Sequence, residues 1–137
     1  MLDRLTAAGG SFAAEPGVLE LALPADPTSA AAARQSLAAY CRDHGAPSEL
    51  TADALLVISE LVANAVLHAR SPTIAWAEYE AGAITVAVVD GSADLPALLA
   101  PSERREDGRG VAIIDELGAT WGIVRTSLGK IVWVTLR

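Results

Sequence analysis

Glu60, Asn64 and His68 recur at intervals of four within a stretch, Ala54 to Ala69, that is otherwise almost wholly apolar. That pattern constrains the chain more than any other. In a helix each residue advances about 100°, so the three side chains share an arc of roughly 80°, with Asp53 and Val57 in the same sector. Leu61, Ala65, Ala54, Ile58, Ala69, Val62, Leu55 and Val66 fill the adjoining arc, and Leu56 and Leu67 flank the stripe on its other side. A surface helix should carry a broad polar face, whereas this one is apolar nearly all round with a narrow interruption. A carboxylate, an amide and an imidazole set into such a helix must be solvated, paired or turned toward a ligand. The stripe reads as the wall of a pocket.

The chain has 137 residues, enough for one domain with a proper core. Apolar residues make up 52% and charged residues 20%, which favours a globular chain over a disordered one. The net charge is −7, and apart from Arg104-Arg105 the basic residues stand singly. Nucleic-acid binding needs clustered cations, so direct contact with nucleic acid is not expected. No uninterrupted apolar run approaches the roughly 18 residues of a membrane span, and the first residues lack a signal peptide's charged start and apolar centre. Cys41 is the single cysteine, which excludes an internal disulfide and a cysteine zinc cluster. A cytoplasmic protein is expected.

Residues 1–16 read as a loose N-terminal segment, and residues 17–137 as a single domain. Within it, alternation from Gly17 to Leu23 predicts a strand that Pro24 stops. A helix follows over Ala30 to Asp43, closed by His44-Gly45, and Pro47-Ser48 opens the helix that bears the stripe and ends at Ser71-Pro72. Thr73 to Glu80 and Ala83 to Asp90 predict a hairpin through Ala81-Gly82. A loop over 91–107, a short helix from Arg109 to Leu117 and a last hairpin complete the chain. The strands of that hairpin are expected at Thr120 to Thr126 and Ile131 to Leu136, with Ser127 to Lys130 as its turn. This order predicts an α/β (α+β) two-layer sandwich, with a mostly antiparallel mixed sheet and helices on one face.

Two glycine-bearing segments accompany the stripe. Asp90-Gly91 ends an apolar strand, where a carboxylate can accept a hydrogen bond from an exocyclic amine. Gly108-Arg109-Gly110 precedes the predicted short helix, where close backbone approach and free amides suit a phosphate. Taken singly, Asp-Gly is an ordinary turn and Gly-x-Gly is common.

Taken together, Glu-x₃-Asn-x₃-His on a helix, a strand-terminal Asp-Gly and a helix-opening Gly-x-Gly resemble the GHKL (Bergerat-fold) ATPase superfamily. The likeness is greatest to its stand-alone branch of anti-sigma-factor serine/threonine kinases. Glu60-Leu61-Val62-Ala63-Asn64-Ala65-Val66-Leu67-His68-Ala69 is the most diagnostic stretch, and agreement extends through Trp121-Gly122 and Gly129-Lys130-Ile131-Val132-Trp133. The resemblance covers Val18 to Arg137 and implies ATP and Mg²⁺ as cofactors. It implies Asn64 as the Mg²⁺ ligand, Glu60 as the general base and Asp90, followed by Gly91, as the reader of adenine. Gly108, Arg109 and Gly110 would border the phosphates, while His68 and Lys130 would contribute to the nucleotide site. Implied partners are a sigma factor and a STAS-type anti-sigma factor antagonist; a homodimer is common in the family but has no physical warrant in this sequence.

The first glycine box departs from the family pattern, because Ser92, Ala93 and Asp94 follow Asp90-Gly91 where further glycine is usual. Side chains there stand where backbone elsewhere lies close to nucleotide. Two functions therefore follow: an ATP-dependent protein kinase that acts as an anti-sigma factor, or a non-catalytic module that captures a partner.

Overall fold

The computed structural model describes residues 17–70, 72–91, 117–126 and 129–137. Strand β1 (Val18–Leu23) leads into helices α1 (Ser29–Asp43) and α2 (Ser48–Ala69). Strands β2 (Thr73–Glu80), β3 (Ala83–Asp90), β4 (Thr120–Thr126) and β5 (Gly129–Leu136) complete the described elements. The sheet order is β1-β2-β3-β5-β4 and all four pairings are antiparallel. The two-layer α/β sandwich read from the sequence is therefore present, with no parallel pair among the described residues.

Local chemistry explains the joints. Ala81 (φ 52°) and Gly82 (φ 78°) both take positive φ between β2 and β3, as a tight hairpin turn requires. At the entry to α1, Asp26 Oδ1 accepts hydrogen bonds from the Thr28 backbone N–H and hydroxyl, at 2.8 and 2.7 Å. These bonds hold the Asp26 carboxyl below the usual carboxylate range. Arg70 in the left-handed conformation (φ 51°) closes α2, two residues earlier than the Ser71-Pro72 signal alone suggests.

The core lies between the helices and one face of the sheet. Leu37 of α1 and Ala54, Ile58, Leu61 and Ala65 of α2 pack against Ala75 and Ala77 of β2, Ile84, Val86 and Val88 of β3, and Val132, Val134 and Leu136 of β5. Small residues on α2 and β2 let the helix lie close to the sheet. By length and composition Ser48–Leu67 is apolar enough to cross a membrane, despite lacking an uninterrupted apolar run. Burial in this core accounts for part of that composition, since 39% of the span is buried.

The opposite face carries a second apolar cluster around Trp76, Ala87 and Ile131. The Trp76 indole N–H donates to Glu20 Oε2 across the edge strand at 3.0 Å. Gly122 faces Trp133 in the β4–β5 pair, and a Cβ there would sit 2.7 Å from the indole ring. Glycine is needed at that position so that the ring can lie across the neighbouring strand.

Candidate functional site

α2 places its stripe on the boundary between core and solvent. Val57 is fully buried, Asn64 is half-buried and Glu60 is exposed one turn before it. The flanking Leu56 and Leu67 are exposed, at 40% and 69%, so the outer surface of this helix is apolar too. The Asn64 Nδ2 is buried with no hydrogen-bond partner among the described residues. An unsatisfied buried amide costs about 1–3 kcal/mol, which folding alone gives no reason to retain. The other atom of the amide, Oδ1, is a carbonyl-type oxygen, the hard donor that Mg²⁺ takes. The residue therefore fits the metal role that the resemblance implied for it.

The same end of the sandwich holds its buried charges. α2 ends at Ala69 and β2 begins at Thr73, whose hydroxyl donates to the Val89 carbonyl beside Asp90. Asp90 and Lys130 are cross-strand partners in the β3–β5 pair. Alternation puts both on the face with Val88 and Val132, beneath the helices. They are 2% and 1% exposed, and Lys130 Nζ lies 3.6 Å from Asp90 Oδ1.

Gly129 enforces this register. Its φ is +130°, and a Cβ would stand 2.8 Å from the Asp90 carbonyl oxygen and 2.9 Å from Gly91 Cα. No other residue allows so close an approach of β5 to the end of β3.

The structure corrects one sequence expectation outright. Lys130 is not in a hairpin turn: β5 begins at Gly129, and Thr126 pairs directly with Gly129. A four-residue turn seemed adequate because both faces of β5 are apolar, so alternation did not reveal where the strand begins. Lys130 is thus an interior strand residue, and its ammonium is held at the Asp90 carboxylate rather than in solvent. Sequence reasoning also missed Thr73 and Gly129 as supports of this site. The signal for Gly129 was a glycine two residues before Ile131, directly across from Asp90-Gly91 once the register is set.

Asn64, Asp90, Gly91 and Lys130 thus gather at one end of the layer, with Glu60 one turn before Asn64 on α2. The side chain of His68 lies outside the described set, as do Gly108, Arg109, Gly110, Ser92, Asp94 and all of the predicted Arg109–Leu117 helix except Leu117, which stands in a turn. Elsewhere in the core, burial pushes the Cys41 thiol above its ordinary value of 9.0, against a smaller opposing hydrogen bond with Thr51. Burial also raises Tyr40, whose hydroxyl donates to the Gly17 carbonyl and accepts from the Tyr79 N–H. These groups tie β1 and β2 to α1.

The fold is thus a two-layer α/β sandwich whose buried polar groups lie at one end, beneath its long helix. Residues 23–136 match the family of histidine kinase-like ATPase domains, and the chain belongs to that family. Among solved structures, the chain is similar to the crystal structure of the RsbU and RsbW domains of Rv1364c from Mycobacterium tuberculosis, with a TM-score of 0.62 and 22% identity. The alignment covers 90% of this chain and 32% of that one, so this chain spans about a third of its structural relative. That likeness is one of fold. No curated protein matches in sequence.

Proposed function

We propose that this protein binds Mg-ATP and acts as a serine/threonine kinase on an antagonist of anti-sigma factors, sequestering a sigma factor when that antagonist is unavailable. The observation that carries this reading is the orphaned Asn64 amide, set one helical turn from an exposed Glu60 at the end of the layer where Asp90 is buried. Family membership and an RsbW-type fold support it. The Asp90 carboxylate accepts from the adenine amino group, which fixes the base at the strand ends. Asn64 Oδ1 would hold Mg²⁺, which when bound neutralises phosphate charge. Glu60 orients the incoming serine or threonine hydroxyl and takes its proton. The hydroxyl oxygen bonds to the γ-phosphorus as the bond to the β–γ bridging oxygen breaks, and ADP departs with that electron pair. Exposure of Glu60 suits this role, since the hydroxyl belongs to another protein.

One observation favours the second reading, a partner-capture module without catalysis: Asp90 is engaged by Lys130 before any base arrives. Titration calorimetry separates the two. Under the kinase reading the protein binds Mg-ATP, Asn64→Ala weakens binding more than Glu60→Ala, and Glu60→Ala abolishes phosphotransfer while sparing affinity. Absence of heat at millimolar Mg-ATP eliminates the kinase and leaves the module.

A further inference from the structure

We infer that the hollow between the start of α1 and the end of α2 seats one amphipathic helix of the partner protein, with an apolar side chain filling it and a lysine or arginine at the Asp26 carboxylate. The inference rests on the partner-binding part of the reading above, which the kinase and the capture module share. It adds the place and the chemistry of the contact.

The hollow measures about 240 Å³ and is lined by Asp26, Pro27, Ala30, Ala63, Val66 and Leu67, so its walls are apolar but for one carboxylate. Leu67, the most exposed large apolar residue described, stands in that wall. It is not an isolated surface leucine. Ala52, Leu56, Ser59, Ala63 and Leu67 follow one another at intervals of three or four, which sets them in one stripe along α2. Leu56, also exposed, lines a second hollow with Leu55 and Ser59, against Arg34 of α1. From Leu56 to Leu67 the stripe runs about 16 Å, three turns of helix. A furrow between two helices, apolar over that length, is the shape into which a third helix lays its apolar face. Contiguous exposed apolar surface of this kind marks an interaction site where a single leucine would not.

Charge selects the occupant. Asp26 Oδ1 accepts from the Thr28 N–H and hydroxyl, which keep the carboxyl ionised, while Oδ2 accepts no hydrogen bond among the described residues. The free oxygen of an anion at the rim of an apolar hollow calls for a cation beside the apolar anchor. Arg34, farther along, has the opposite sign, so the furrow differs at its two ends. The partner helix therefore lies with its basic end at Asp26.

The probes are two synthetic helical peptides of leucine, alanine and glutamine that differ at one end alone, lysine in the first and glutamate in the second. Each is titrated into the intact ¹⁵N-labelled protein and followed by amide chemical shifts. The lysine peptide should move the amides of Ala30, Ala63 and Leu67 and bind about fivefold more tightly than the glutamate peptide, the upper range for an exposed ion pair. Asp26→Lys should reverse that preference. General attraction to a net charge of −7 would instead leave the lysine peptide ahead, since the variant remains acidic. Leu67→Asp should weaken both peptides about tenfold by removing the apolar anchor, although the added charge would strengthen any unspecific hold on lysine. Shifts centred away from the hollow, an unchanged preference in Asp26→Lys, or no shift at millimolar peptide each overturn the inference. The unaltered protein with the two peptides decides the matter even where a variant does not fold. Heat from Mg-ATP alongside a silent hollow removes this inference and leaves the nucleotide reading standing. A responsive hollow without nucleotide heat leaves the capture module.

Discussion

The two ends of the layer between α2 and the sheet are built on different rules. Toward the middle and start of α2, Leu50, Ala54, Val57, Ile58 and Leu61 meet Leu37, Ala77, Val86 and Val134, and every side chain is apolar. Toward its end the same two surfaces enclose Asp90, Lys130 and the unpartnered Asn64 amide. Backbone geometry is continuous from one end to the other, so the fold does not demand this change in chemistry. Burying a carboxylate and an ammonium recovers little more than it costs, and apolar residues of similar size often serve stability equally well. The apolar end thus serves the fold, while the polar end is where the proposed nucleotide site would lie.

That contrast is most directly broken at the ion pair. Lys130→Met leaves Asp90 buried without its cation and should cost about 3–5 kcal/mol in chemical denaturation. The double variant Asp90→Leu/Lys130→Met should recover most of that loss, because no uncompensated charge remains, yet it should bind no Mg-ATP. A double variant as unstable as the single one would show that the polar end serves the fold after all.

A smaller effect of opposite sign is expected at Asn64. Asn64→Leu removes a buried unsatisfied donor and should raise stability by about 1 kcal/mol while eliminating Mg-ATP binding. Destabilisation would mean that the amide is satisfied in solution, and the contrast between the two ends would be weaker than the geometry suggests.

The smallest effect sharpens the apolar end. Burial raises the Cys41 thiol above its unfolded value of 9.0. Between the unfolded and folded values the native state holds the proton more tightly, so stability is fully present below pH 9 and declines as pH rises through the folded value. Thermal melting from pH 8 to pH 10.5 should show this decline, and Cys41→Ala should flatten its first part. Tyr40, raised by burial from 10.0, accounts for what remains at higher pH.

Much of this organisation was legible in the chain. Asp53 to His68 could be assigned to a helix with one polar stripe because a period of four is unambiguous over so many residues. The β2–β3 hairpin was legible from Ala81-Gly82, and the sheet's antiparallel character from its short connections. The start of β5 was not. In Gly129-Lys130-Ile131-Val132-Trp133-Val134 both faces are needed apolar, one for the helices and one for the Trp76 cluster, so alternation is lost. Lys130 then looks like a turn residue because lysine usually is solvated.

The sequence by itself determined which residues share the polar stripe of α2, since helical spacing is a local property of the backbone. Only the tertiary structure decided what Asp90 faces. Partners separated by forty residues are chosen by strand register, and here the register is set by a glycine whose missing side chain lets two strands touch.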